Sequence, residues 1–244
     1  MSDLCIKIEH LSKSFKVPEG KNTVLQVLKS LTKHQPFRRT LMVLSDLSCE
    51  MKKGEKVAVI GRNGCGKTTF LRILAGIYSA DSGTVQINAV PRALFRSSIG
   101  LNSDISVIDN IYLLGAMHGL ERNFLKGKIE SILALAEIGH LRFSVLKKLS
   151  TGQAQRLALS VFFEADGDLL ILDEAMGSVD RDFSQKTDDY FKRLVSSDRT
   201  VIMVSHNTAT LRKYCTKAMW LEKGVVRMYD EFDKVNAEYE RSFS

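Results

Sequence analysis

The stretch "KVAVIGRNGCGKTTFLRILAG", residues 56–76, decides the fold. An apolar run, Val57 to Ile60, reads as a strand. Phe70, Leu71, Ile73 and Leu74 recur at helical spacing after it. Between them Gly61, Arg62, Asn63, Gly64, Cys65, Gly66, Lys67 and Thr68 fit the spacing G-x-x-x-x-G-K-[ST], in the strand-then-helix context that this motif requires. Glycines let the main chain curl until successive N–H groups face inward, toward anionic oxygens. A helix starting near Lys67 adds the positive end of its dipole. Lys67 then supplies a mobile charge to the β- and γ-phosphates of a nucleotide, and Thr68 a hydroxyl for Mg²⁺. The stretch reads as a phosphate cradle. Cys65 serves in it as a small residue.

Two further strand ends carry chemistry. "DLLILDEA" places Asp173 and Glu174 where an apolar strand runs out. In doubly wound sheets, ligands sit at the carboxyl ends of strands. Asp173 is expected to hold Mg²⁺ through its water shell, and Glu174 to polarise the attacking water as general base. "TVIMVSH" repeats the pattern, with His206 just past a second buried strand. A histidine there is suited to hydrogen-bond the γ-phosphate or the attacking water.

The rest of the chain supports one α/β unit. It has 244 residues, 44% hydrophobic and 26% charged, and no stretch approaches the ~20 apolar residues of a membrane span. "MSDLCIKIEH" lacks the apolar core of a signal peptide, so a cytosolic protein is expected, with docking on a membrane protein left open. Cys5, Cys49, Cys65 and Cys215 form no CxxC pair, which argues against a zinc site or a disulfide framework. "LCIKIEHLSKSF" alternates as a strand does, and "LSDLSCEMKKGEKVAVI" reads as strand, turn, strand. "SGTVQINA" is a short strand. Residues 106–148 read as largely helical, and "LSTGQAQRLALSVFFEA" as a capped helix. "MWLEKGVVRMY" reads as a hairpin around Lys223-Gly224, followed by a helix with Phe232, Val235 and Tyr239 on one side. The expected architecture is a parallel α/β core, an antiparallel β subdomain and a helical subdomain at about 95–165, all in a single domain over 1–244.

A basic insertion at about 18–43 interrupts the sheet pattern. Val24, Leu25, Leu28 and Leu31 fall there at helical spacing. Residues 13–43 hold seven cations (Lys13, Lys16, Lys21, Lys29, Lys33, Arg38 and Arg39) against Glu19 alone, which is most of the net charge of +7. Nucleic acid, anionic lipid head groups and plain solvation are all compatible with such a segment.

"LSTGQ", residues 149–153, resembles the signature L-S-G-G-Q of ATP-binding cassette (ABC) ATPases. Ser150, Thr151, Gly152 and Gln153 stand at a helix N-terminus, an anion site by the same physics as the cradle. The order of the phosphate loop at 61–68, the signature, Asp173-Glu174, a "GSVD" stretch at 177–180 and His206 is similar to the family's order over essentially the whole chain. The resemblance implies a P-loop NTPase fold, ATP and Mg²⁺ as cofactors, and a head-to-tail homodimer. In that dimer the signature of one copy faces the γ-phosphate held by the other's loop. Lys67, Glu174 and His206 are then catalytic. Thr69, with the cradle residues, binds nucleotide, and Phe15 matches the position of an aromatic stacked on adenine. Thr151 replaces the signature's first glycine. The stretch matching the family's glutamine loop has no glutamine, and Asn102 is its nearest polar candidate for the metal.

The wording "VIGRNGCGKTTFLRILAGIY", "DNIYLLGAMHGL" and "WLEKG", with the basic insertion, resembles exporters of bacterial surface polysaccharides, the capsule, O-antigen and teichoic acid transporters. That implies an ATPase subunit peripheral to the cytoplasmic face of the bacterial inner membrane, bound to an integral membrane permease, with no nucleic acid expected. Two rivals come from other classes. A soluble cassette acting on nucleic acid or ribosomes usually joins two cassettes in one chain. A regulatory module with little turnover is disfavoured by Glu174 and His206. Neutralising Lys29, Lys33, Arg38 and Arg39 together is expected to impair transport or docking while nucleotide binding persists. Unchanged export would remove any role for the basic segment in either.

Overall fold

The computed structural model describes residues 3–18, 38–95, 100–165, 167–174 and 181–243. The helical spacing at Val24–Leu31 and the "GSVD" stretch lie outside them. Two sheets form the frame. β1 (Leu4–Pro18) pairs antiparallel with both β2 (Arg38–Lys52) and β4 (Ser82–Ile87), giving the order β2-β1-β4. β2 starts at Arg38, six residues before the strand pattern resumes at Leu44 in the sequence, because its ladder with β1 runs on to Pro18↔Arg38. The segment 38–43 is therefore sheet and not part of the interruption.

The second sheet has the order β5-β6-β7-β3-β8-β9. Its strands are β3 (Lys56–Ile60), β5 (Pro91–Phe95), β6 (Leu169–Asp173), β7 (Thr200–Val204), β8 (Lys217–Glu222) and β9 (Val225–Glu231). Pairing is parallel from β5 to β8 and antiparallel between β8 and β9. β5 has no clear pattern in the sequence. It is a five-residue edge strand opening on Pro91, and the first position of an edge strand tolerates the missing N–H. Lys223 and Gly224 both take positive φ in the hairpin between β8 and β9, which matches the right-handed twist of the two strands.

Period-two alternation sorts the central strands between two cores. Val57, Val59, Leu169, Ile171, Ile202 and Val204 face the antiparallel sheet and helix α1 (Lys67–Leu74). Ala58, Ile60, Leu170, Leu172, Val201 and Met203 face the helical layer. That layer holds α2 (Val107–Met117), α3 (Arg122–Ala136) and α4 (Thr151–Phe163), with α5 (Arg181–Ser196), α6 (Thr208–Tyr214) and α7 (Phe232–Arg241) further along the chain. Buried Asn110 on α2 grips the preceding loop. Its side chain accepts from Asn102 N at 2.8 Å and donates to the carbonyls of Asn102 at 3.0 Å and Ser106 at 2.9 Å.

His118 follows α2 and packs edge-on against Phe162 of α4, ring centroids 5.5 Å apart. Burial, aided by the neighbouring Arg92 cation, pulls its pKa down from 6.5 to about 4. The folded state favours the neutral ring, so the stability this group carries is complete above about pH 6.5 and is lost as pH falls toward 4. Denaturant unfolding is expected to show an acid-side loss on the order of 3 kcal/mol over that window, from the size of the shift. His118→Gln should lose that part of the slope. An unchanged slope in the variant would assign the loss to other groups.

Candidate active site

β3 is the hinge of the site because it lies between β7 and β8, with its carboxyl end open to the loop 61–66. At Gly61 φ is +149°, and a Cβ there would sit 2.2 Å from the Leu221 carbonyl oxygen of β8. Only glycine lets the chain leave the sheet at that point. The loop then closes on itself. Lys67 Nζ donates to the carbonyls of Gly61 at 2.7 Å and Arg62 at 3.0 Å. Cys65 is buried under the loop, and burial pushes its thiol up, which fits a neutral filler. Its carbonyl accepts from Gly224 N at 3.2 Å. Gly66 is the N-cap of α1, and no side chain caps the helix, so its first amides are left to other acceptors.

A cavity of about 330 Å³ opens at this loop. Asn63, Gly64, Gly66, Lys67, Thr68 and Thr69 line one side, and Asp173, Glu174 and Val204 another. Leu41 and Val43 of β2 supply the apolar wall. Strand register explains the acidic side. Asp173 is the β6 partner of Val204 on β7, and Glu174 N donates to Val204 O at 2.9 Å. His206 follows Val204 by two residues and so reaches Glu174, with Nε2 donating to Oε1 at 2.6 Å. Glu174 holds a positive φ of 52°, an uncommon backbone for a non-glycine residue and the kind that clusters at functional sites.

Asp173 is buried, which raises its pKa, while a hydrogen bond from Thr68 and the charges of Arg72 and Lys67 pull the other way. The Thr68 hydroxyl and the Asp173 carboxylate are thus neighbours. Two hard oxygen donors beside a cluster of backbone amides fit the preferences of Mg²⁺, which takes few protein ligands and leaves the rest to water and phosphate.

Not every predicted residue joins the cavity. Ser150 caps α4 with a reciprocal pair: its Oγ accepts from Gln153 N at 3.2 Å, and Gln153 Oε1 accepts from Ser150 N at 2.9 Å. Thr151 and Gly152 form the first turn of that helix. This signature end does not line the cavity. Phe15 lies on β1 beside Leu41, one residue out from the cavity wall. Arg62 turns outward, its guanidinium 5.6 Å from the ring of Phe243. Asn102 is also outside the cavity, and its side-chain oxygen accepts from Asp104 N at 2.9 Å within its own loop. Sequence reasoning missed Leu41 and Val43, since strand β2 begins earlier than its pattern implies. It also missed the brace that the β8–β9 hairpin gives the phosphate loop. The hairpin itself is legible, but nothing in the sequence says what it touches.

A sheet with a phosphate loop after a central strand, β3, and an Asp-Glu pair at the end of β6, one strand beyond its neighbour β7, defines a P-loop nucleotide-binding protein. The family model described as ABC transporter matches residues 44–177, and the chain belongs to that family. A teichoic acids export ATP-binding protein of Bacillus anthracis is 31% identical over 96% of the chain, which spans 42% of that relative. An O-antigen export system ATP-binding protein of Myxococcus xanthus is 32% identical over 84% of the chain, which spans 47% of it. The chain thus spans about half the length of these curated relatives. A dimeric ATP-binding cassette in a post-hydrolysis state, bound to ADP and Pi, superposes with a TM-score of 0.73 at 19% identity, covering 93% of this chain and 98% of that one. That likeness shows the fold.

The hairpin brace makes a specific prediction. A Cβ at Gly224 would lie 2.5 Å from the Val43 carbonyl, at a φ of +82°. Gly224→Ala is expected to cost about 1–3 kcal/mol in denaturant unfolding and to weaken nucleotide binding through the loop. Wild-type stability in the variant would show that the hairpin tip carries no weight there.

Proposed function

We propose that this chain is the ATP-binding and hydrolysing subunit of an ABC transporter that exports a polysaccharide or lipid-linked glycan. The reading is carried by one observation: parallel register brings Glu174 and His206 into contact beside the phosphate loop. The backbone amides of the loop and the amino end of α1 receive the phosphates, and Lys67 offsets the charge of the terminal ones. Glu174 accepts a proton from water as its oxygen bonds the γ-phosphorus and the bond to the β–γ bridging oxygen breaks. His206 orients that carboxylate through its 2.6 Å contact. Thr68 and Asp173 hold the metal. Mg²⁺ supplies neutralisation of charge on the phosphate oxygens when bound.

In the same reading, two copies pair head to tail, so that Ser150–Gln153 of one meets the phosphates on the loop of the other. Support comes from the capped, cavity-remote signature helix and from the fold shared with a dimeric cassette. No helix among the described residues is long and apolar enough to cross a membrane. In this reading an integral membrane permease spans the bilayer, a partner inferred from the export-system names of the relatives. The pair works beneath it, at the cytoplasmic face. Glycan export is inferred from the names of the teichoic acid and O-antigen relatives. Nucleotide-driven closure changes the dimer's affinity for itself, and differential binding of ATP and ADP is what biases the transporter between two states.

Glu174→Gln is expected to lower turnover roughly 10²–10⁴-fold while ATP binding is kept. Size-exclusion chromatography with Mg–ATP should then show a stable dimer of the variant. Persistent turnover would remove Glu174 as the base. A monomer that keeps its ATP would remove the sandwich.

A further inference from the structure

The ladder between β1 and β2 does not run cleanly toward Phe15. Its register shifts between Leu11 and Lys13 and again between Lys13 and Ser14. Shifts of this kind re-aim the side chains that follow them. The loop after α1 pins the chain at this point. Asp81 accepts from Ser14 N at 2.7 Å, from Ser14 Oγ at 2.7 Å and from Lys13 Nζ at 2.6 Å, all at the slipped register. Its own N–H donates to Ser12 O at 2.9 Å. These partners hold the Asp81 carboxyl at about 2, with the Lys13 bond the largest cause. The clamped Lys13 ammonium sits 5.4 Å from the centroid of the Phe15 ring. Tyr78, from the same loop, meets that ring edge-on, centroids 5.5 Å apart at 65°. Tyr78 is held in turn by Arg72 of α1, whose guanidinium donates to its hydroxyl at 2.9 Å.

We propose that Tyr78 and Asp81 are positioning residues for the nucleotide base, acting through Phe15. The inference rests on the reading of Phe15 as the base-stacking aromatic. Phe15 is the cross-strand partner of Leu41, which lines the cavity at the phosphate loop, so a ring fixed here adjoins that cavity. Two sides of the ring's surroundings are supplied by the Tyr78 edge and the Lys13 cation, and a base takes what they leave. Both positioning residues also hang on α1 through Arg72 and a short connection, so base platform and phosphate cradle are set by one helix.

The test compares two probes on the full chain: Mg–ATP, and Mg–tripolyphosphate, which has the phosphates and no base. Dissociation constants are measured by calorimetry for wild type, Tyr78→Leu, Asp81→Asn, Tyr78→Phe and Phe15→Ala. Tyr78→Leu and Asp81→Asn should each weaken ATP roughly two- to tenfold, the range set by one aromatic contact, and leave tripolyphosphate unchanged. Tyr78→Phe keeps the ring edge and should retain most of the ATP affinity. Unchanged ATP affinity in both Tyr78→Leu and Asp81→Asn, with Phe15→Ala weakened, overturns the proposal and spares the base-stacking reading. Parallel loss of both probes marks a merely structural role and also overturns it. An unchanged ratio of the two probes in Phe15→Ala overturns the reading of Phe15 itself.

Discussion

The parallel pairing of β6, β7 and β3 governs everything the site contains. Three buried strands end along one edge of the sheet, and each delivers a different group there: Asp173 and Glu174 from β6, His206 from β7 and the phosphate loop from β3. Their mutual distances are set by ladder hydrogen bonds, which tolerate no sliding. A slip of one residue in β6 against β7 would turn its core side chains to the wrong face and carry Glu174 away from His206. The hydrophobic alternation that sorts Leu170 and Leu172 from Leu169 and Ile171 is therefore also what aligns the acid with the histidine.

Around that edge the other elements act as walls. β2 closes the cavity with Leu41 and Val43. The β8–β9 hairpin bears on the loop from behind through Leu221, Gly224 and the Cys65 carbonyl. The signature helix stands apart from the cavity, with its Ser150–Gln153 cap complete within itself.

Much of this was legible in the residues. The phosphate loop announces itself through glycine and lysine spacing, because backbone curvature and charge are local demands. The buried strands ending in Asp173 and Val204 show as unbroken apolar runs for the same reason. What the residues hide is non-local. The six extra residues at the start of β2 form sheet because β1 is there to pair with, and "RRTLMV" by itself does not say so. β5 is short and carries Pro91 and Arg92, so it has no periodicity to read. Asn102 looks like a free amide in the sequence, yet Asn110 holds its backbone and Asp104 occupies its side-chain oxygen. The pairing of His206 with Glu174 lies across 32 positions of chain and needs the sheet to exist first.

One residue at the rear of the loop has an optical consequence. Trp220 is the chain's single tryptophan, and it sits on β8 with its ring edge-on to Tyr239 of α7, centroids 5.6 Å apart. Tyr239 in turn meets Phe243, the ring that faces Arg62. All of the chain's indole emission thus originates at the seam between the sheet and α7, a few side chains behind the phosphate loop. Ultraviolet light excites a built-in lamp at the back wall of the site, with no label needed.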